Sequence, residues 1–284
     1  MRVQPDCLPC FFKQTVIALR QGTKDGRLHE KVIKGVLEEI ERADLSKPPA
    51  HATTFIHRRI RDILRRDPFK KVKSDYNRIA LKSYPRLSRF AAGSRDPLFT
   101  AARLAIAGNI IDFGIFTSVD IDTTVERALR GSIARDDYAA FKRAVNGTQS
   151  IFYLADNAGE IVFDRILIET LKGMGKRVTL AVKGAPVLND ATTEDAATAG
   201  LTEICPVMDN GSDCVGTILP MTSARFRRAY RSAGMVISKG QGNFETLMDK
   251  REKDKRVFFL FQSKCDVVSR ELGLPLKSML LKEK

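Results

Sequence analysis

The sequence predicts an α/β protein in which a helical N-terminal part precedes a mostly parallel sheet covered by helices on both faces. Three observations predict it. Apolar residues recur at helical spacing up to about residue 145, short apolar runs alternate with helical segments beyond residue 150, and turn residues fall between them. The 284 residues leave room for about two domains. The 43% hydrophobic and 29% charged fractions are those of an ordinary globular protein. No run approaches the roughly 18 consecutive apolar residues of a transmembrane helix.

The helical elements come first. Phe11, Phe12, Val16, Ile17 and Leu19 fall close to helical spacing, as do Val32, Ile33, Val36, Leu37 and Ile40, and then Phe55, Ile56, Ile60, Ile63 and Leu64. Pro48-Pro49 and Asp67-Pro68 separate these helices. Asp96 as N-cap and Pro97 at the first helical position start another, which runs through Leu104 and Ile106 to Asn109. The reading is a helical domain over 1–100, with helices continuing to about 147, and an α/β domain over 101–284. In the second part, Ile151–Ala155, Arg177–Val182, Leu201–Ile204, Met235–Ser238 and Val257–Phe261 read as strands. Helices are expected at Glu160–Leu171, ended by Gly173 and Gly175, at Thr192–Thr198 and at Ser223–Ser232.

The formal charge of +14 is uneven. Residues 1–100 hold 22 Lys and Arg against 11 Asp and Glu, a net of +11, and the remainder is +3. Such an excess attracts polyanions. Nucleic acid is a possible partner but not the favoured one, because Arg58, Arg59, Arg61, Arg65 and Arg66 lack a Gly-rich or aromatic-interleaved surround. A solvated helical face is the alternative. The N-terminus lacks a signal peptide's apolar core, so a cytoplasmic protein with no stable disulfides and no membrane contact is expected. Cys7 and Cys10 form a CxxC, but no second cysteine pair follows, and His29, His51 and His57 do not have zinc-ligand spacing. These thiols are expected near the domain junction and dispensable for turnover; a redox or metal role is the alternative.

In parallel sheets, ligands bind beyond the carboxyl ends of the strands. Asp156-Asn157-Ala158-Gly159-Glu160 follows one strand and opens a helix, so that hard oxygen donors suited to a divalent cation stand side by side. The same residues also make a plain N-cap and turn. After the next strand comes Asp190, which is either a third metal ligand or the N-cap of the following helix. Asn210-Gly211-Ser212-Asp213 is a loop rich in hydrogen-bonding groups, or simply a surface turn. Lys239 follows another strand and is flanked by Gly240 and Gly242, which suits a phosphate oxygen; a surface pair with Glu245 is the alternative. No GxSxG, GxxxxGK[ST], HExxH or GxGxxG is present. The chemistry that fits is metal-assisted attack of water on a phosphate ester, with Lys239 neutralising developing charge.

CLPCF (Cys7–Phe11), GNIIDFG (Gly108–Gly114), DNAGEIVFD (Asp156–Asp164), LNDAT (Leu188–Thr192) and SKGQGNFE (Ser238–Glu245) together resemble the damage-control phosphatase family, long catalogued as domain of unknown function 89, in its stand-alone prokaryotic and archaeal branch. The resemblance covers essentially the whole chain. It implies a small all-helical N-terminal domain, a three-layer α/β/α domain with a mixed sheet, and metal-dependent hydrolysis of small phosphorylated metabolites, sugar phosphates among them. Carried over, it makes Asp156, Asn157 and Asp190 the ligands of a divalent cation (Mg²⁺, Mn²⁺, Co²⁺ or Ni²⁺). Asp156, Asn157 and Lys239 are then catalytic, and Asn109, Asp112, Lys239 and Asn243 face the substrate. Glu160 and Asp213, in the loops beside them, complete the candidate substrate-binding set. Without the resemblance, Asn109 reads as a helix C-cap. Two other classes stay open: a nucleic-acid or protein binding module with a structural metal, and a protein carboxyl methyltransferase. The second is disfavoured because DNAG leads with a carboxylate and has a single glycine.

Overall fold

The structure, a computed structural model, describes residues 1–110, 121–248 and 256–284. Helices α1 (Cys7–Gly22), α2 (Gly26–Glu41), α3 (Pro49–Leu64), α4 (Lys70–Ala92) and α5 (Pro97–Ile110) come first, with α6 (Ile121–Arg130) and α7 (Tyr138–Gly147) after them. Local chemistry sets their starts. Asp25 accepts the Arg27 N–H ahead of α2, Pro49 opens α3, and Asp96 accepts the Phe99 N–H (3.2 Å) ahead of Pro97, as the sequence predicts. Helix α5 is apolar almost all round and is buried from Leu98 through Asn109 on nearly every side.

The strands are β1 (Arg135–Asp136), β2 (Ser150–Leu154), β3 (Arg177–Val182), β4 (Val207–Asp209), β5 (Met235–Lys239), β6 (Val257–Gln262) and β7 (Met279–Glu283). They form one sheet in the order β1-β7-β6-β5-β2-β3-β4. From β6 to β4 every neighbour is parallel, β7 runs antiparallel to β6, and β1 is parallel to β7. The mostly parallel, mixed sheet is therefore observed. Helices α8 (Glu160–Gly173), α9 (Thr193–Thr198), α10 (Ala224–Ser232), α11 (Gln241–Leu247) and α12 (Asp266–Leu272) connect or follow its strands.

Strand parity divides the core. Ile151, Tyr153, Met235, Ile237, Phe258 and Leu260 face the layer built by α5, α7 and α8. Phe152, Leu154, Val236, Phe259 and Phe261 face α10, α11 and α12. Both faces are covered, which is why these strands read as continuous apolar runs. Helices α1–α3 enclose a third apolar cluster around Phe11, Val36, Ile56 and Ile60, whereas α4 gives Ala80, Leu87 and Ala91 to the cluster shared with α8. Cys7 is buried in the α1–α3 cluster beside Val267 of α12 and next to Cys265; Cys10 is exposed.

One expected strand is corrected. Leu201–Glu203 is a 3-10 turn, because the Ile204 and Cys205 N–H groups both bond back to the Leu201 carbonyl (3.1 and 3.0 Å). The strand comes after Pro206, at β4. A short apolar run cannot by periodicity be told from a buried turn. No helix among the described residues is long and apolar enough to cross a membrane.

Candidate active site

The chain lays down β2, β3 and β4 in one direction across the sheet, then returns to place β5 and β6 on the other side of β2. The order reverses between β2 and β5, and ligands in such sheets bind at that reversal. The loop after β2 carries Asp156 and Asn157, and Lys239 ends β5.

The loops after β2 and β3 are joined edge to edge. Ala158 N–H donates to Asn189 O and Ala191 N–H to Asp156 O, both at 2.8 Å. The resulting antiparallel bridge sets Asn157 directly opposite Asp190, so the two side chains leave the same face. The N-cap of α9 is Thr192, closed in a capping box with Asp195. Asp190 is thus free of the capping role that the sequence left open.

Below these residues lies a closed polar layer. Asn109 Nδ2 donates to Asp156 Oδ2 (3.1 Å) and Glu160 Oε2 (3.0 Å), and its Oδ1 accepts the Gln262 N–H (3.0 Å). Asn157 Nδ2 donates to Asp156 Oδ2 (2.7 Å) and Glu160 Oε2 (3.1 Å), which leaves its own Oδ1 as the oxygen donor. The Lys239 ammonium is completely enclosed. Its three N–H bonds go to Ala105 O (2.8 Å), Glu160 Oε1 (2.6 Å) and Asp164 Oδ1 (2.5 Å), and Tyr153 OH also donates to Asp164 Oδ1 (2.8 Å). Asn243 spends Nδ2 on Lys239 O (2.7 Å) and Ala155 O (3.2 Å), and its Oδ1 accepts from Thr217 Oγ1 (2.7 Å). Gly240 stands at φ +80° with the Asp156 carboxylate where a Cβ would be, so no other residue fits without moving that carboxylate.

The sequence-predicted set therefore separates by depth. Asp156, Asn157 and Asp190 come together at the rim of the strand ends. Lys239, Glu160, Asn109 and Asn243 gather directly beneath, with their polar atoms used on protein partners. Lys239 accordingly sits one layer below where a phosphate-contacting lysine is expected. The cause is strand parity: Lys239 shares the face of Met235 and Ile237 and points at α5 and α8. Its alternative partner Glu245 is buried elsewhere, accepting from Ala50 N (3.1 Å) and Gln241 Nε2 (2.9 Å). Asp213 stands apart, tied to Arg58 (2.5 Å) and Arg61 of α3. Arg59 pairs with Glu38, so part of the basic run is already answered by acids. Asp112 lies outside the described residues.

The electrostatics of the rim favour a cation. Burial, then the charges of Glu160 and Asp190, push Asp156 well above the usual carboxylate range, against Lys264 and Lys183. Burial likewise raises Asp190, with Lys183 opposing it. Asp190 Oδ2 lies 3.3 Å from Lys183 Nζ but receives no hydrogen bond of good geometry. The Lys183 ammonium also donates to Gly216 O. Beneath, burial pushes Asp164 up to about 6 even with Lys239 beside it. Among the described residues no group of three or more His, Cys, Asp and Glu side chains is arranged to hold a metal, so a cation here needs the Asn157 amide as well as the two aspartates. Hard oxygen donors, an Asp190 Oδ2 without a well-formed hydrogen bond and two buried carboxyls that Lys183 and Lys264 offset only in part together fit a divalent cation.

A family model, the damage-control phosphatase ARMT1-like domain, matches residues 3–280. The chain belongs to that family. The damage-control phosphatase of Pyrococcus horikoshii is 34% identical over 97% of this chain and 96% of that protein. The damage-control phosphatase of Archaeoglobus fulgidus is 30% identical over 99% of each. An uncharacterized protein of Methanocaldococcus jannaschii is 35% identical over 99% of this chain and 95% of its own length. The crystal structure of a Pyrococcus horikoshii member of the domain of unknown function 89 family superposes with a TM-score of 0.91 at 32% identity, covering 100% of this chain and 99% of that one. Within this damage-control phosphatase fold, sequence reasoning missed Lys264. It follows β6 as Lys239 ends β5, is exposed, acts electrostatically on Asp156, and makes no ion pair among the described residues. Its signal was the same one, a lysine just after a parallel strand.

Proposed function

We propose that this damage-control phosphatase family member is a metal-dependent phosphatase that hydrolyses phosphate monoesters of small metabolites, with Asp156, Asn157 and Asp190 as ligands of one divalent cation. The observation that carries the reading is the hydrogen-bonded pairing of the β2 and β3 loops, which sets Asn157 opposite Asp190 beside an Asp156 carboxyl whose ionisation burial and the neighbouring acids oppose more than Lys264 and Lys183 support it. When bound, the cation polarises a phosphoryl oxygen and lowers the pKa of a coordinated water. The protein's own residues do the rest. Asn109 and Asn157 hold the Asp156 carboxylate from below through their amides. Lys239 holds Glu160, which in turn receives both amides, so the ammonium acts by fixing the ligand frame. Lys264, exposed and without an ion pair among the described residues, is suited to a phosphate oxygen.

The test is phosphate release from a panel of phosphorylated metabolites with Mg²⁺, Mn²⁺, Co²⁺ or Ni²⁺, each against a chelator control. Turnover is expected only with a cation. Asp156→Ala is expected to lower kcat on the order of 10³-fold or more, beyond the loss of one preorganised contact. Equal phosphate release with chelator present, or from folded Asp156→Ala, overturns the reading.

A further inference from the structure

Asn77, on the helical α4, is buried and spends both ends of its amide on two other elements. Its Oδ1 accepts the N–H of Gly159 (2.7 Å), the residue that caps α8. Its Nδ2 donates to Asp195 Oδ1 (2.8 Å) in the first turn of α9. The second Asp195 oxygen accepts from Thr192 N and Thr192 Oγ1, both at 2.8 Å. Lys73, one turn earlier on α4 and also buried, lies 3.1 Å from Asp67 and 3.8 Å from Asp195. Gly159 stands at φ +75° and is buried, so its N–H has no solvent to turn to if Asn77 is lost.

These two attachment points matter because of what precedes them. The Gly159 loop carries Asp156 and Asn157, and the Asp195 turn directly follows Asp190 and its bridge. One amide from α4 therefore spans the two segments that carry the proposed cation ligands Asp156, Asn157 and Asp190. We propose that Asn77 and Asp195 are positioning residues of that site: they hold the start of α8 against the start of α9 and so set the separation of the Asp156–Asn157 loop from Asp190. The inference rests on the metal reading and deepens it, giving the helical α4 a task at the strand ends. Neither residue touches substrate. An apolar side chain at 77 leaves a buried N–H and a buried carboxylate oxygen unpaired. Aspartate at 77 keeps the acceptor for Gly159 but turns a carboxylate on Asp195. Exchanging the two, in Asn77→Asp with Asp195→Asn, restores a donor facing an acceptor and leaves the charge around Lys73 unchanged.

The experiment is calorimetric titration of Mn²⁺ into the full chain and into Asp156→Ala, Asn77→Ala, Asn77→Asp and the exchanged double variant, at a temperature where circular dichroism shows each folded. Asn77→Ala and Asn77→Asp are expected to bind Mn²⁺ about 10- to 100-fold more weakly, the scale of losing a group that orients metal ligands. The double variant is expected to recover most of that loss, which a general loosening of the fold would not predict. Parent-like affinity in folded Asn77→Ala, or a double variant as weak as Asn77→Asp, overturns the inference. If the parent binds no tighter than Asp156→Ala, the metal reading itself has failed and the positioning role falls with it. Affinity that drops in Asp156→Ala but not in Asn77→Ala removes the positioning role alone. Should Asn77→Ala not fold, Asn77→Asp and the double variant carry the comparison.

Discussion

Lys239 and Lys264 stand at the carboxyl ends of neighbouring parallel strands, yet one is enclosed and the other open. Around Lys239 the molecule is a floor in which Glu160, Asp164, Asn109 and Asn243 are buried and, apart from Asp164 Oδ2, bonded to protein partners. Around Lys264 it is a rim, where burial and neighbouring acids penalise charge on Asp156 and Asp190, and Lys183 and Lys264 offset that only in part. The two layers arise from one sequence signal, a polar residue just past a strand. That signal locates the strand end but says nothing of depth. Depth follows from side-chain parity and from which distant groups meet the side chain, here a carbonyl of α5 and two carboxylates of α8.

The largest loss is expected from Lys239→Met. If the lysine belongs to the floor, its removal leaves Glu160 and Asp164 as buried carboxylates without a cation, and breaking such a pair costs about 3–5 kcal/mol. The expected result is a large fall in the urea midpoint, with turnover lost alongside it as the Asp156 frame loosens. A variant as stable as the parent that loses only turnover would return Lys239 to the substrate side and erase the distinction.

Lys264→Met tests the other layer and should give the opposite split. The ammonium is exposed and makes no ion pair among the described residues, so the urea midpoint should barely change. If it meets the phosphate, kcat/KM should fall on the order of 10- to 100-fold, less than for a fully preorganised donor because solvent screens it. The loss should shrink as ionic strength rises. Unchanged kcat/KM at low salt would leave the rim without a cation for the substrate.

How much of this was legible in the sequence also divides along physical lines. Strands β2, β3, β5 and β6 were legible because both their faces are buried and they read as apolar runs. β4 is three residues behind a proline, β1 is two exposed residues, and β7 is a brief apolar run ahead of Lys282 and Glu283, so none carries a pattern. Asp156, Asn157 and Asp190 could be gathered because parallel strands put their following loops on one edge. The depth of Lys239 was within reach of the sequence too, since Met235, Ile237 and Lys239 alternate onto one face. Asn77 was not: a polar residue inside a long helix looks like a solvated position until the fold shows that α8 and α9 begin beside it.

The smallest expected effect concerns Asp213, the candidate that the structure sets apart from both layers. Burial pushes its pKa up, but the hydrogen bond and charge of Arg58, with the charge of Arg61, outweigh burial and hold it below the usual value. The pair ties α3 to the loop ahead of Gly216, where Thr54 also accepts the Val215 N–H (2.9 Å). Arg58 is 38% exposed, which discounts the interaction, so Asp213→Asn should cost only about 1 kcal/mol at neutral pH. The sign of the pH dependence follows from the depressed pKa. The stabilisation is fully present above the unfolded value of about 3.9 and is lost as pH falls through the lower folded value. Parent and Asp213→Asn should therefore differ in urea midpoint at pH 7 and converge in acid. Turnover should change far less than in Lys264→Met. A selective rise in KM for a phosphate ester in Asp213→Asn, with the urea midpoint unmoved, would instead make Asp213 part of the rim.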